Sequence, residues 1–362
     1  MPLVDFYWPH RLSAKRFDKF HAKGWFRSGN TLYRTQIVCL EEDFHSPINV
    51  RMPLEEHEFP KRIKKLRKKN QKHFDVSIRP LRFIDSARGH LYQQHKHRFK
   101  GFICETLEEY LTGAYRGDLF QSYEVAVRHG KKLVAWSCFD LGDEAASSIV
   151  GLYDPSYSKF SLGKFTMVCE IDYLKENGFK FYYPGYILEG CEDFNYKMEL
   201  GSMQYRQENG YWKKWDAKDS FPEFPSIRLK QKTESLIRAL RADGFEPRAF
   251  IYPVYPFGYL EGHEFLLNCP MFVKINGEKK DFPMQVAFYD LETDEFKIVQ
   301  SFVMPNRMIE GFEMPAISDS AKVWKHMLTK TSELWTGQSI EELIAFLHKP
   351  VPQPKIIPGK MR

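Results

Sequence analysis

The chain has 362 residues, 43% of them apolar, 15% aromatic and 28% charged, with a formal net charge of +6. The length exceeds one ordinary core and predicts two or three domains in a mildly basic globular protein. No stretch reaches the roughly 20 apolar residues of a membrane span, the region near 251–260 being broken by Pro253 and Pro256, and the six cysteines form no Cys-x-x-Cys pair, which excludes a disulfide framework and a zinc ribbon.

The first residues lack a basic region followed by an apolar run, so no signal peptide is expected, and the protein reads as cytoplasmic with reduced thiols. In chain order, residues 13–23 predict a short helix ended by Gly24. Residues 26–38 predict a hairpin turning at Ser28, Gly29 and Asn30, and residues 49–54 alternate as a half-buried strand does. Residues 61–72 carry eight Lys or Arg and no acid, with Ile63, Leu66 and Asn70 spaced three to four apart. A helix there packs Ile63 and Leu66 and sends its cations outward. Such a run makes either a solvated face or a phosphate-backbone contact, and by itself does not separate RNA from DNA or anionic lipid.

Helices over 90–100 and 107–115 then precede paired strands over 121–128 and 132–140 that turn at His129 and Gly130. A short strand over 148–153 ending at Asp154-Pro155, a helix over 164–177 closed by Gly178 and a strand over 179–183 follow. This order predicts an α/β sandwich with a mostly antiparallel sheet and a helix docked beside a strand end. Beyond a Pro-rich shift at 221–225 the pattern gives a helix over 227–242 and strands over 263–275 and 281–289 joined through Asn276-Gly277. A strand over 295–303 and closing helices over 319–335 and 339–347 complete it. The domains read as 1–88, mixed and carrying the basic helix; 89–217, the central sandwich; 218–350, an additional α+β domain; and 351–362, a disordered tail.

Chemistry concentrates in residues 147–197. Ser161-Leu162-Gly163 lies between a strand end and a strong helix, with Ser161 at the N-cap position. It serves capping alone, or its helix-start N–H groups face a cleft and hold a phosphate or a reacting carbonyl oxygen, with Gly163 admitting close approach. Asp154, before a proline, is either a turn residue or a group that orients or deprotonates an amine.

Tyr153-Asp154-Pro155 ahead of Ser161-Leu162-Gly163, then Glu170-Ile171, Tyr182-Tyr183, Gly185-Tyr186-Ile187, Cys191 and Asn195-Tyr196-Lys197, resembles the C-terminal domain of the arginyl-tRNA-protein transferases. Gly24-Trp25-Phe26-Arg27-Ser28-Gly29 with Leu32-Tyr33-Arg34, Val50-Arg51 and the basic helix is similar to that family's N-terminal domain. The family, with its bacterial leucyl-transferring branch, moves an amino acid from aminoacyl-tRNA to a protein N-terminus and marks it for N-degron proteolysis. The resemblance implies a GNAT-like acyltransferase core, and the chain lacks the Arg/Gln-x-x-Gly-x-Gly/Ala pattern that cradles the CoA pyrophosphate.

What the resemblance implies is an aminoacyltransferase without cofactor, a monomer binding aminoacyl-tRNA and acceptor N-termini, acidic ones among them, and neither DNA nor membrane. Catalysis falls to Asp154, Ser161, Leu162 and Gly163. Tyr92, His95, Arg98, Tyr186, Asn195, Tyr196 and Lys197 bind substrate: the tyrosines stack on the terminal adenine or line the amino-acid pocket, unless they are core aromatics, and Lys197 meets a phosphate or an acidic acceptor side chain, unless it is solvated. Lys61, Arg62, Lys64, Lys65, Arg67, Lys68 and Lys69 contact tRNA. Two departures stand out. Where the family carries a cysteine cluster implicated in metal or iron-sulfur binding, this chain has only Cys39 and, six residues on, His45, so no metal is expected. Where the family has Arg and Tyr, it has Gln94 and His95. The alternatives are a diverged, non-catalytic tRNA- or peptide-binding protein and a GNAT-type acyl-CoA N-acyltransferase.

Overall fold

A computed structural model describes residues 2–40, 42–99, 104–113, 119–216, 223–275, 283–304 and 320–349. The chain divides into two compact units, one of Met1–Ser226 with Phe312–Asp319, the other of Ile227–Gly311 with Ser320–Arg362. No helix among the described residues is long and apolar enough to cross a membrane.

The first unit opens with β1 (Val4–Tyr7), α1 (Ala14–Ala22), β2 (Phe26–Ser28) and β3 (Thr31–Thr35). Ser13 caps α1 by accepting the Arg16 amide, and the helix ends at Gly24, where φ is +80°. The strands form a small sheet in the order β1-β3-β2, and β4 (Val38–Leu40) and β5 (Asp43–His45) make a separate hairpin.

The main sheet uses β6 (Pro47–Pro53), then, after α2 (Lys61–Asn70), β7 (Asp75–Pro80). After α3 (Ser86–His95) and α4 (Leu107–Thr112) come β8 (Gln121–His129), β9 (Lys132–Leu141) and β10 (Ala145–Tyr153). A 3-10 turn (Pro155–Phe160) leads into α5 (Leu162–Glu176), followed by β11 (Phe181–Tyr183), β12 (Tyr186–Leu188), a second 3-10 stretch (Glu192–Leu200), β13 (Gln204–Arg206) and β14 (Trp212–Lys214). The order is β14-β13-β6-β11-β10-β9-β8-β7, with β12 added beside β6. Only the β10–β11 pair is parallel among the described strands. Segments 1–88 and 89–217 therefore share one sheet, because β6 pairs with β11 and β7 with β8.

Alternation along β8 sorts the core. Val125 and Val127 face the layer of α2 and α5, with Phe165, Val168 and Ile171, while Ala126 faces the layer of α3 and α4, with Leu91, Leu107 and Leu111. The helix expected over 90–100 begins earlier, at Ser86, because Asp85 accepts the Arg88 amide as its cap, and it tightens to 3-10 geometry at Lys96–Arg98; Lys100 and residues 114–115 lie outside the described residues.

The second unit has α6 (Pro225–Ala242), β15 (Arg248–Ile251), β16 (Met271–Lys274), β17 (Met284–Asp290), β18 (Glu295–Val303), β19 (Leu328–Gly337) and α7 (Ile340–Leu347), with the five strands in sequence order in one antiparallel sheet. Two expectations are corrected here. Of 263–275 only Met271–Lys274 is a strand, and the segment read as a helix over 319–335 yields β19, whose Thr329, Thr331 and Thr336 suit a half-exposed edge against β18. The Asn276-Gly277 turn and the tail fall outside the described residues.

Candidate functional site

The geometry of β10 and β11 creates the site. They pair in parallel only at Ala145↔Phe181, Ala146↔Tyr182 and Ser147↔Tyr183. The chain then turns through Pro184 and Gly185, whose φ is +93°, and runs on as β12 beside β6, with Tyr186 opposite Asn49. On its β9 side β10 stays paired as far as Tyr153↔Ala135, with a register shift between Ser148 and Val150. Among the described residues no strand pairs with 148–153 on the β11 side, so the sheet splits there and leaves a polar backbone edge open.

Both ends of the open edge are held by side chains. At its far end the buried His95 ring sets Nδ1 3.1 Å from the Tyr153 carbonyl oxygen and 3.3 Å from its amide nitrogen. Burial lowers the His95 pKa, opposed by the Tyr153 hydrogen bond and aided by Arg98. Arg98 itself is exposed and lies 5.2 Å over the Tyr153 ring. At the near end Glu170 of α5 accepts from Ser137 Oγ at 2.5 Å and from the Tyr182 hydroxyl at 2.7 Å, with a further donor in Ser148. Burial outweighs those donors and pushes its pKa up to about 7.

Just past the divergence sits Lys197, from the second 3-10 stretch. It is buried, donates from Nζ to the Tyr186 carbonyl at 2.7 Å, and lies 5.5 Å over the Tyr186 ring and 5.2 Å over Phe194. A Cβ on Gly185 would come within 3.2 Å of Nζ, so glycine both makes the turn and leaves room for the ammonium. No carboxylate among the described residues pairs with Lys197, and burial alone lowers its pKa to about 7. Phe26 packs edge-on against Tyr186 at 4.9 Å, and Phe194 stacks on it at 5.9 Å. Tyr196 exposes part of its ring while its phenol is pushed up by burial and the Glu170 charge; Asn195 is exposed.

Other expected site residues lie elsewhere or do other work. Tyr92 is a core residue: it is fully buried among Leu91, Leu107 and Trp136 and its hydroxyl donates to the Cys104 carbonyl at 2.7 Å. Asp154 is a turn residue, with Lys132 Nζ on Oδ2 at 2.6 Å and the Ser156 amide and hydroxyl on Oδ1 at 2.9 and 2.6 Å. Burial would raise its pKa, but these donors hold it below the ordinary carboxylate value, so it is a poor base. Ser161 precedes α5 in the left-handed region, at φ +51°, with no side-chain capping bond, and its own amide donates to Ser158 at 3.0 Å. Leu162 is fully buried in the α5 layer. The amides of Gly163 and Lys164 have no acceptor among the described residues, and Gly163 faces the Tyr153 ring, 3.5 Å from where its Cβ would stand.

In α2, Arg62 pairs with Glu199 at 3.1 Å, Lys64 with Glu58 at 2.5 Å and Arg67 with Asp172 at 2.8 Å, and Lys69 lies 4.9 Å over Phe160. Lys61, Lys65 and Lys68 are exposed with no partner among the described residues, and they share one face opposite the buried Ile63 and Asn70. Cys39 pairs with Phe44 across β4 and β5, while His45 stands opposite Val38, so the two point to opposite faces; His45 Nδ1 contacts the Glu189 carbonyl at 2.8 Å.

Residues 81–207 match the family model of the arginine-tRNA-protein transferase C terminus. Over that span the chain is similar to the aminoacyl-tRNA-protein transferases. The first unit thus carries an aminoacyltransferase enzyme domain. An aspartate/glutamate leucyltransferase of Leptospira interrogans is 29% identical over 223 residues, 60% of this chain and 84% of the relative. Its namesake in Campylobacter jejuni is 27% identical over 202 residues, 54% of this chain and 82% of the relative. Among solved structures, the C-terminal domain of a putative lysylphosphatidylglycerol synthetase from Agrobacterium fabrum aligns at TM-score 0.30 and 13% identity, over 40% of this chain and 48% of that one. In the transferase domain, Glu170 and Tyr182 stand in the motif without a role assigned from the sequence, and their Ser137 and Ser148 partners are not singled out there at all. A carboxylate between Val168 and Ile171 on a buried helix face is the signal that finds them.

Proposed function

We propose that the chain transfers an aminoacyl group, leucyl or arginyl, from aminoacyl-tRNA to the α-amine of an acceptor whose first residue is acidic. The observation that carries this reading is Lys197: a buried ammonium without an acid among the described residues, in an aromatic surround, beside the split between β10 and β11. Such a group is satisfied by a carboxylate arriving with the acceptor. The relatives named aspartate/glutamate leucyltransferases support the same acceptor class and favour leucine as the donated residue.

In the reaction the acceptor nitrogen bonds to the ester carbonyl carbon, the bond from that carbon to the tRNA ribose oxygen breaks, and one amine proton ends on that oxygen, giving the amide and the ribose hydroxyl. The ester is already activated, and an α-amine with a pKa of about 7.7–8.0 is partly neutral at pH 7. Positioning is then the main task, for which effective molarity supplies about 7–11 kcal/mol. In this reading the open edge of β10 takes the acyl group in a GNAT-like core, the free amides of Gly163 and Lys164 hold an oxyanion or phosphate, and Lys61, Lys65 and Lys68 meet the tRNA backbone.

The test is transfer of radiolabel from Leu-tRNA or Arg-tRNA to peptides beginning with Asp, Glu, Lys or Ala. Label on the Asp and Glu peptides from at least one tRNA is the expected result. Tight tRNA binding with no labelled peptide under any condition would instead make the chain a non-catalytic binder.

A further inference from the structure

A further cation without an acid among the described residues lies on the main sheet. Gln204 and Arg206 of β13 share a face with Arg51 and Asn49 of β6, through Gln204↔Arg51, and with Trp212 and Lys214 of β14. The Arg206 guanidinium is half-buried, and among the described residues its Nε has no hydrogen-bond partner and no carboxylate pairs with it. The charged group that acts on it is another cation: burial first and Arg34 second both push its pKa down. Arg34 has its own acid, Asp5, at 2.8 Å. A Cβ on Gly24 would stand 3.3 Å from Arg206 Cδ and 2.7 Å from Asn49 Nδ2, so both side chains converge on this glycine, and the Asn49 amide oxygen is also buried without a partner.

A guanidinium half out of water, beside a like charge and without an acceptor, is destabilising until an anion arrives. The surroundings suit one kind of anion. The three strands, PINVRMP, QYR and WKK, contain no acid, and Arg51 lies between the rings of Phe181, at 4.1 Å, and Trp212, at 4.4 Å. Bases and backbone phosphates of a nucleic acid meet such basic, aromatic surfaces. The Tyr183 hydroxyl, hydrogen-bonded to Arg51, links this face to the last β10–β11 pair.

We propose that Arg206 is a phosphodiester-binding site for the tRNA donor, on the sheet face that adjoins the transfer site. This assignment rests on the donor read in the preceding subsection. It is tested with the full chain by titrating deacylated tRNA at several salt concentrations. In R206Q affinity should fall about tenfold and the slope of log K against log salt should flatten by about 0.7–0.9, while R206K should keep the slope. Without tRNA, R206Q should melt at or above the wild-type temperature, and inorganic phosphate should raise the melting temperature of wild type but not of R206Q. A wild-type slope in a folded R206Q, or a melting temperature lowered without any change in slope, overturns the site and leaves the donor reading intact. Absence of tRNA binding by wild type overturns both. Loss of binding to an Asp-initiated peptide in R206Q, with tRNA binding unchanged, would assign the arginine to the acceptor instead.

Discussion

Lys197 and Asp154 show how differently two charged residues of one motif region are used. Asp154 has both oxygens engaged, Oδ2 by Lys132 and Oδ1 by the amide and hydroxyl of Ser156. Lys197 spends one donor on the Tyr186 carbonyl and meets no acid among the described residues. Its pKa of about 7 is lowered by burial, so the charged form that would hold an acidic acceptor is lost as pH rises through that value. Lys197→Met should therefore reduce kcat/KM for Asp- and Glu-initiated peptides by about 10–100-fold, the range of a lost charge-assisted bond, while affecting an Ala-initiated peptide little. The ratio of Asp to Ala transfer should decline between about pH 6 and 8 in the wild type and stay flat in Lys197→Met. A ratio that does not move with pH in either protein would remove Lys197 from acceptor recognition. The residue type and its place after Asn195-Tyr196 were legible in the sequence; its burial was not, because that depends on Gly185 and Phe194 closing around it.

At the scale of elements, period and charge located α2, α5 and the β8–β9 hairpin, since each repeats its pattern for several turns or pairs. They did not reveal the split of β10 from β11, which is set by a three-pair parallel register and by β12 moving to β6. Nor did they reveal which cations of α2 are committed. Arg62, Lys64 and Arg67 hold the helix to Glu199, Glu58 and Asp172, whereas Lys61, Lys65 and Lys68 share the outward face. Replacing Lys61, Lys65 and Lys68 together with Gln should flatten the salt dependence of tRNA binding by about 2–3 in log–log slope and leave the melting temperature within about 1–2 °C of wild type. Replacing Arg62, Lys64 and Arg67 should have the smaller effect on slope. Equal slopes in both triple variants would mean that the face does not distinguish the lysines, and wild-type slopes in both would make α2 a solvated helix.

Over the whole molecule, two compact units each with a sheet and helices predict unfolding that is not two-state. Glu170 gives a way to see which transition belongs to which unit. Its carboxyl is raised from an ordinary 4.5 to about 7, so between those values the unfolded chain binds fewer protons than the folded one. By linkage the Glu170 contribution to the stability of the first unit falls as pH rises from about 4.5 to 7, by on the order of 3 kcal/mol, and then levels off. Glu170→Gln resembles the protonated side chain: one oxygen still accepts from the Ser137 or Tyr182 hydroxyl, and no charge is buried. The variant should match wild type near pH 4.5 and be more stable near pH 8, and in calorimetry only the transition of the first unit should move. A variant destabilised equally at both pH values would show that Glu170 is needed for its acceptor geometry and not burdened by its charge. A shift in every transition would show that the two units unfold together.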